Sequence, residues 1–338
     1  MSVLISRAPT RIDFGGGWTD VPPYSIEQGG CVCNVAIARY ATATVRLRGP
    51  GDEAHGGPLA SVDDSHDLRR AADSALAAAA LARAGRADLR VSLDSDFPVG
   101  AGLGGSSAAG VAVLGALSAW TGAGTHEDPT SLAEASRTLE VEDLRVPGGR
   151  QDHYAAAFGG ALSLRFGEST SAERIPISPA VRDELPRRAV VVYTGKSRIS
   201  GETITAVLGA YRDREPRVIE ALSRMKKLAA EMVRALAAGD LDSLGALVGE
   251  HWRWQRTLHP AIPTPLIDHL LDVARGAGAI GGKALGASGG GCVLAFAGRG
   301  REDELRRAIA REAAGHDAAL EVLDFSIDET GFSWGTHQ

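Results

Sequence analysis

Apolar and polar residues alternate from Ser2 to Ile12, and this period of two predicts a β-strand. Cys31 to Leu47 alternates as well and is rich in Val and Thr, so it predicts further strand structure. Between such apolar neighbours, Cys31 and Cys33 read as buried thiols on one strand face rather than as metal ligands. Gly49 to Gly57 predicts a loop, Asp67 to Ala84 a helix, and Leu89 to Leu93 a short strand. The apolar run from Ala108 to Trp120 is too long for a strand and rich in Ala and Leu, which predicts a buried helix. Pro129 to Glu142 predicts a helix that opens with proline in its first turn. Ala155 to Phe158 predicts a short helix stopped by Gly159 and Gly160. After Pro186, Ala189 to Thr194 predicts an apolar strand opening a second unit. Helices are predicted over Val218–Ala238, Leu241–Thr257, Pro265–Ala274 and Arg301–Ala314, with a last strand over Leu320–Ser326.

These elements predict an α+β protein of two domains, residues 1–185 and 186–338. The composition, 44% apolar and 23% charged, is that of a soluble globular chain. A net charge of −6 argues against nucleic acid as a partner. No apolar run has the length and purity of a membrane span, and Met1 to Thr10 lacks the basic-then-apolar pattern of a leader. Three cysteines suit a reducing compartment, so a cytoplasmic location is expected.

Four stretches carry candidate chemistry. The first is Asp96 to Trp120, where Pro98, Gly100, Ala101, Gly102, Leu103, Gly104 and Gly105 lead into Ser106, Ser107 and the apolar helix. A glycine loop feeding a helix brings bare backbone and unpaired N–H groups up to an anion. The lysine of the common P-loop is missing, and no acidic residue stands where the dinucleotide fingerprint needs it. The alternative is a plain turn before a core helix. The second stretch runs from Arg11 to Asp20 around Gly15-Gly16-Gly17; its alternative is a surface bend with a solvated Arg and a capping Asp. In the third, Pro147 to Gly160, Asp152 stands at a helix start and could be only a cap. The fourth is Gly286 to Gly291 before an apolar strand, which could be a β-turn alone.

Taken together, Pro98–Ala109, Arg11–Asp20 and Gly286–Gly291 resemble the three ordered motifs of the GHMP kinases, and the likeness extends over essentially the whole chain. The wording Gly-Gly-Trp-Thr-Asp at 16–20 and Gln-Asp followed by Ala-Ala-Ala-Phe-Gly-Gly at 155–160 is most similar to the heptose 7-phosphate kinase and L-fucose kinase branch. Ser288 departs from the usual glycine of the third motif. The resemblance implies a ribosomal S5 domain 2-like N-terminal domain and a ferredoxin-like C-terminal domain. It implies ATP and Mg2+ as cofactors, with the loop from Pro98 to Ser107 around the nucleotide phosphates. It implies Asp152 and Arg11 as the catalytic pair, and Ser106 with Glu140 on the metal, Ser107 and Glu142 being the runners-up. Gly17, Thr19, Asp20, Gly289 and Gly290 would face the sugar. Lys196 and Arg198 would meet a phosphate on it, unless both are solvated loop charges. His153 is expected to be a bystander rather than a base. The implied reaction is phosphorylation of an anomeric hydroxyl of a heptose 7-phosphate. A free-sugar 1-kinase and a non-catalytic sugar and nucleotide sensor are the other readings. The expected partner is a small sugar or sugar phosphate, with no nucleic acid and no membrane; a homodimer is left open.

Overall fold

A computed structural model describes residues 3–49, 52, 65–122, 128–196, 201–315 and 319–337. Most of the Gly49–Gly57 loop falls outside that range. In chain order the elements are β1 (Val3–Gly15), α1 (Tyr24–Gln28), β2 (Gly30–Leu47), α2 (Ser65–Ala84), β3 (Leu89–Ser95), α3 (Gly105–Thr121) and α4 (Pro129–Thr138). They continue with α5 (Gln151–Phe158), β4 (Ala161–Phe166), β5 (Thr170–Arg174), α6 (Pro179–Arg188), β6 (Ala189–Tyr193), α7 (Gly201–Arg212) and α8 (Pro216–Ala237). The last are α9 (Leu241–Gln255), α10 (Pro265–Gly276), β7 (Ala279–Ala284), β8 (Cys292–Ala297), α11 (Glu302–Gly315), β9 (Glu321–Leu323) and β10 (Ser333–His337).

Two antiparallel sheets divide the chain. The first runs β10-β1-β2-β4-β5, and β3 pairs with the far half of β2; the second runs β7-β8-β6-β9. The helix α3 is buried along most of its length because Ala, Val and Leu surround it, and it packs between the first sheet and α2, α4 and α5. Met232 of α8 and Val248 of α9 share a core with Phe14 and Val35 of the first sheet and Val191 of the second, so the two sheets are joined through one apolar layer.

Two features differ from the sequence reading. The strand Leu320–Ser326 shrinks to β9 and is not the last: Ser333–His337 returns to pair with β1, Val3 facing His337. The division at residue 186 therefore separates the sheets except at this strand, which belongs to the first. The helix starting at Pro129 also does not run regularly to Glu142. Over Leu139–Asp143 it widens into a π turn, closed by the Leu144 N–H donating to the Leu139 carbonyl at 3.0 Å. Such widened turns cluster at functional sites because they re-aim one side chain.

Candidate active site

The loop after β3 crosses the mouth between the sheets and is held from both sides. The Arg11 N–H donates to the Leu103 carbonyl at 3.0 Å, and the Cys292 N–H of β8 donates to the Ala101 carbonyl at 2.8 Å. Gly102 has φ +73° and touches Leu285 and Gly286, so the first and fourth stretches meet there backbone to backbone. A cavity of about 680 Å³ opens over this contact. It is lined by the loop, by Arg11, Asp20, Glu140 and Asp152, and by Gly286 of the fourth stretch.

Arg11 is almost fully buried and is committed to two partners. Its Nε and Nη2 lie 2.8 and 2.7 Å from Asp152 Oδ1, and its Nη1 donates to the Gly102 carbonyl at 2.7 Å. Asp152 sits in the first turn of α5, whose N-cap position is held by Arg150, and its carboxylate is taken by Arg11. Its carboxylate lies against Gly104, where a Cβ would come within 3.0 Å of it; only glycine fits, and φ there is +79°. Gly104 precedes Ser106 by two residues, at most about 7.6 Å of chain. Asp152 and the loop serines therefore face one cleft.

The π turn swings Glu140 toward those serines. Ser106 Oγ donates to Glu140 Oε1, and Ser107 Oγ donates to Oε2 at 2.8 Å. His153 is off the cleft wall and braces Glu140 from behind: its Nε2 lies 3.1 Å from Glu140 Oε2, and its Nδ1 lies 2.9 Å from Ser136 Oγ. Burial alone pushes the Glu140 carboxyl up; the contact with His153, then the two hydroxyls, outweigh it and hold it below the ordinary range. Glu142, the runner-up, is exposed and paired with Arg137. A charged carboxylate beside a hydroxyl suits Mg2+, which takes few protein oxygens and fills its octahedron with phosphate and water oxygens.

Asp20 lines the same cleft, close enough to Asp152 to feel its charge. Its Oδ2 accepts the N–H groups of Arg150 and Gln151 at 2.9 and 3.1 Å, which fixes the turn ahead of α5. Burial is the main reason its pKa rises to about 6; the Gln151 N–H opposes the shift, and the charges of Asp152 and Asp13 add to it. The folded value exceeds the unfolded one, so the cost of keeping Asp20 ionised is absent below about pH 4 and fully present above about pH 6. Replacement by Asn should raise the melting temperature at pH 7, and this gain should vanish as the pH falls to 4. The same comparison should show an acid limb near pH 6 in kcat/KM for the wild type only. A gain in melting temperature that does not change with pH would exclude this role for Asp20.

Gly17 lines the cleft, and a Cβ there would strike Asp13 and Gln151. Thr19 does not line it. The side chain is fully buried, its hydroxyl donates to the Gly16 carbonyl at 2.7 Å, and it accepts the Cys31 N–H at 3.1 Å, so it braces the bend. Gly289 and Gly290 also stand off the wall, with the Gly289 N–H on the Ile262 carbonyl. Ser288 has φ +66°, and Gln255 Nε2 donates to its hydroxyl at 3.0 Å. Lys196 is exposed at the end of β6; its carbonyl accepts the Gly291 N–H, and its side chain is not on the wall. Arg198 lies outside the described residues.

A buried group that nothing local in the sequence marks lies beneath the bend. Lys283 of β7 is fully buried and donates to Asp13 Oδ2 at 2.9 Å. Burial is the largest influence on the Asp13 carboxyl and pushes it up, but Lys283, together with smaller contributions from its other basic neighbours, outweighs this and holds it low. Beside them His251 Nε2 accepts the Gly16 N–H at 2.9 Å, and burial keeps this imidazole neutral. In the sequence, Lys283 is one charge in a glycine stretch, and nothing local marks Asp13 as its partner.

Comparison with known proteins places these features in context. The family model for the GHMP kinases N terminal domain matches residues 70–160, and that for the GHMP kinases C terminal matches residues 232–315. A D-glycero-alpha-D-manno-heptose 7-phosphate kinase of Campylobacter jejuni is 27% identical, with 99% of each chain covered. An L-fucokinase/L-fucose-1-P guanylyltransferase of Bacteroides fragilis is 26% identical over 98% of this chain, which spans 38% of that protein. Among solved structures, a D-glycero-D-manno-heptose 1-phosphate kinase from Bacteroides thetaiotaomicron superposes with a TM-score of 0.73 at 24% identity, covering 98% of each chain.

Proposed function

This chain belongs to the GHMP kinases as a sugar kinase, and from that premise we propose that it transfers the γ-phosphoryl group of ATP to the C1 hydroxyl of a heptose 7-phosphate. The observation that carries the transfer is the meeting of two pairs in one cleft, Arg11 with Asp152 and Ser106 with Glu140. Phosphoryl transfer asks the protein to position groups and neutralise charge. The backbone N–H groups at the start of α3 face the nucleotide phosphates. Ser106 and Glu140 hold Mg2+, which neutralises phosphate charge when bound. Asp152 accepts the proton of the attacking hydroxyl, or orients it, as the new P–O bond forms and the bond to ADP breaks. Arg11 fixes Asp152 and faces the phosphoryl group in transit. Asp20 accepts hydrogen bonds from sugar hydroxyls.

The choice of heptose 7-phosphate rests on the end-to-end likeness to the Campylobacter jejuni enzyme. A free-sugar 1-kinase of the L-fucose kinase type is the second reading, favoured by the position of Lys196 off the cleft wall. ATP consumption with heptose 7-phosphate, free heptose and L-fucose separates the two, and phosphorus NMR of the product reports the position phosphorylated. Heptose 7-phosphate should give the highest kcat/KM and a 1,7-bisphosphate. Faster turnover of free fucose would sink the heptose phosphate reading.

A further inference from the structure

Six carboxylates and two guanidinium groups, those of Arg11 and Arg145, line the cleft among the described residues. A site so rich in negative charge holds a phosphate only where cations or N–H groups offset the repulsion. Arg11 already commits three of its five N–H groups and its charge to Asp152 and Gly102. Arg145 has no ion pair or side-chain hydrogen bond among the described residues.

Its backbone sharpens the point. Arg145 has φ +59°, left-handed backbone that a long side chain adopts at a cost. The neighbours enforce it: the Leu144 N–H is tied to the Leu139 carbonyl and the Val146 N–H to the Glu140 carbonyl, both at 3.0 Å. Arg145 is thus fastened to the π turn that aims Glu140. Glycine would suit this backbone better, so arginine at this place sacrifices stability for its side chain.

We propose that Arg145 is a phosphate-binding residue of the cleft, its guanidinium gripping either the phosphate carried by the sugar or a phosphate of the nucleotide. This rests on the sugar kinase reading only for its first arm. Arg145→Gly removes the charge and relieves the backbone, so the variant should melt no lower than wild type. Titration calorimetry would follow three probes on both proteins: heptose 7-phosphate, the unphosphorylated heptose, and the Mg2+ complex of a non-hydrolysable ATP analogue. At least one phosphate-bearing probe should bind about 10- to 100-fold more weakly to the variant, the range for a lost charge-assisted contact. Binding of the unphosphorylated heptose should stay the same. Weakening of heptose 7-phosphate assigns the guanidinium to the acceptor, weakening of the ATP analogue to the donor, and weakening of both to a position between them. If all three probes weaken alike, or none by more than about twofold, the proposal is overturned. A wild type that binds the ATP analogue but no heptose 7-phosphate would remove the substrate reading, while the nucleotide arm still decides the role of Arg145.

Discussion

Asp152→Asn is expected to lower kcat by about a thousandfold with nucleotide binding intact, a size typical of losing a positioned general base. Asparagine keeps the shape of the side chain and still offers an oxygen to Arg11, so the cleft should survive. It cannot take a proton from a sugar hydroxyl, and it leaves the buried Arg11 without its counter-charge. A coupled ATP assay measures the first effect, and calorimetry with an ATP analogue checks the second. A variant within about fivefold of wild type would reduce Asp152 to a first-turn residue of α5. Ser106→Ala and Glu140→Gln should fail differently, through metal use, and raised Mg2+ should restore part of their activity.

Lys283→Met is expected to cost about 3–5 kcal/mol of stability, because removing one member of a buried ion pair strands the other away from water. Lys283 and Asp13 are both almost fully buried, and their pairing ties β7 of the second sheet to β1 of the first. Adding Asp13→Asn should recover more than half of the loss, since an amide costs far less to bury unpaired than a carboxylate. Urea unfolding of the three proteins measures this. A single variant within about 1 kcal/mol of wild type would mean that the pair is not what joins the sheets at this point.

The glycine loop was legible in the sequence because close backbone bends need glycine. Arg11, Asp20 and Asp152 stood out only through the family resemblance, since locally each reads equally well as a surface charge or a cap, and the partner of Arg11 lies 141 residues away. The long strands and helices were legible because their apolar period repeats over many residues. What was hidden depends on partners far along the chain. Lys283 looks like a loop charge until β7 brings it under Asp13. Thr19 looks like a sugar contact until Cys31 claims its hydroxyl. His153 follows Asp152 directly in sequence, yet it serves Glu140. The π turn left no periodic trace, since it adds a single residue to an otherwise ordinary helix. Ser333–His337 is short and has little apolar alternation, and Pro186 reads as a boundary although α6 continues through it to Arg188.

The pairing of Ser333–His337 with β1 bears on how the chain is made. Before that stretch, Gly160 and Ala36 already exchange hydrogen bonds with Asp328, and Phe332 packs over Gly115 of α3. The first sheet is therefore sealed by residues that leave the ribosome long after the rest of it. At ordinary elongation rates of about 5–20 residues per second, the outer edge of β1 waits roughly 15 seconds to a minute with its N–H and C=O groups open. An open strand edge is a template for pairing with another chain. The nascent protein thus carries a hazard of mispairing at β1, and the strand at Ser333–His337 ends that exposure.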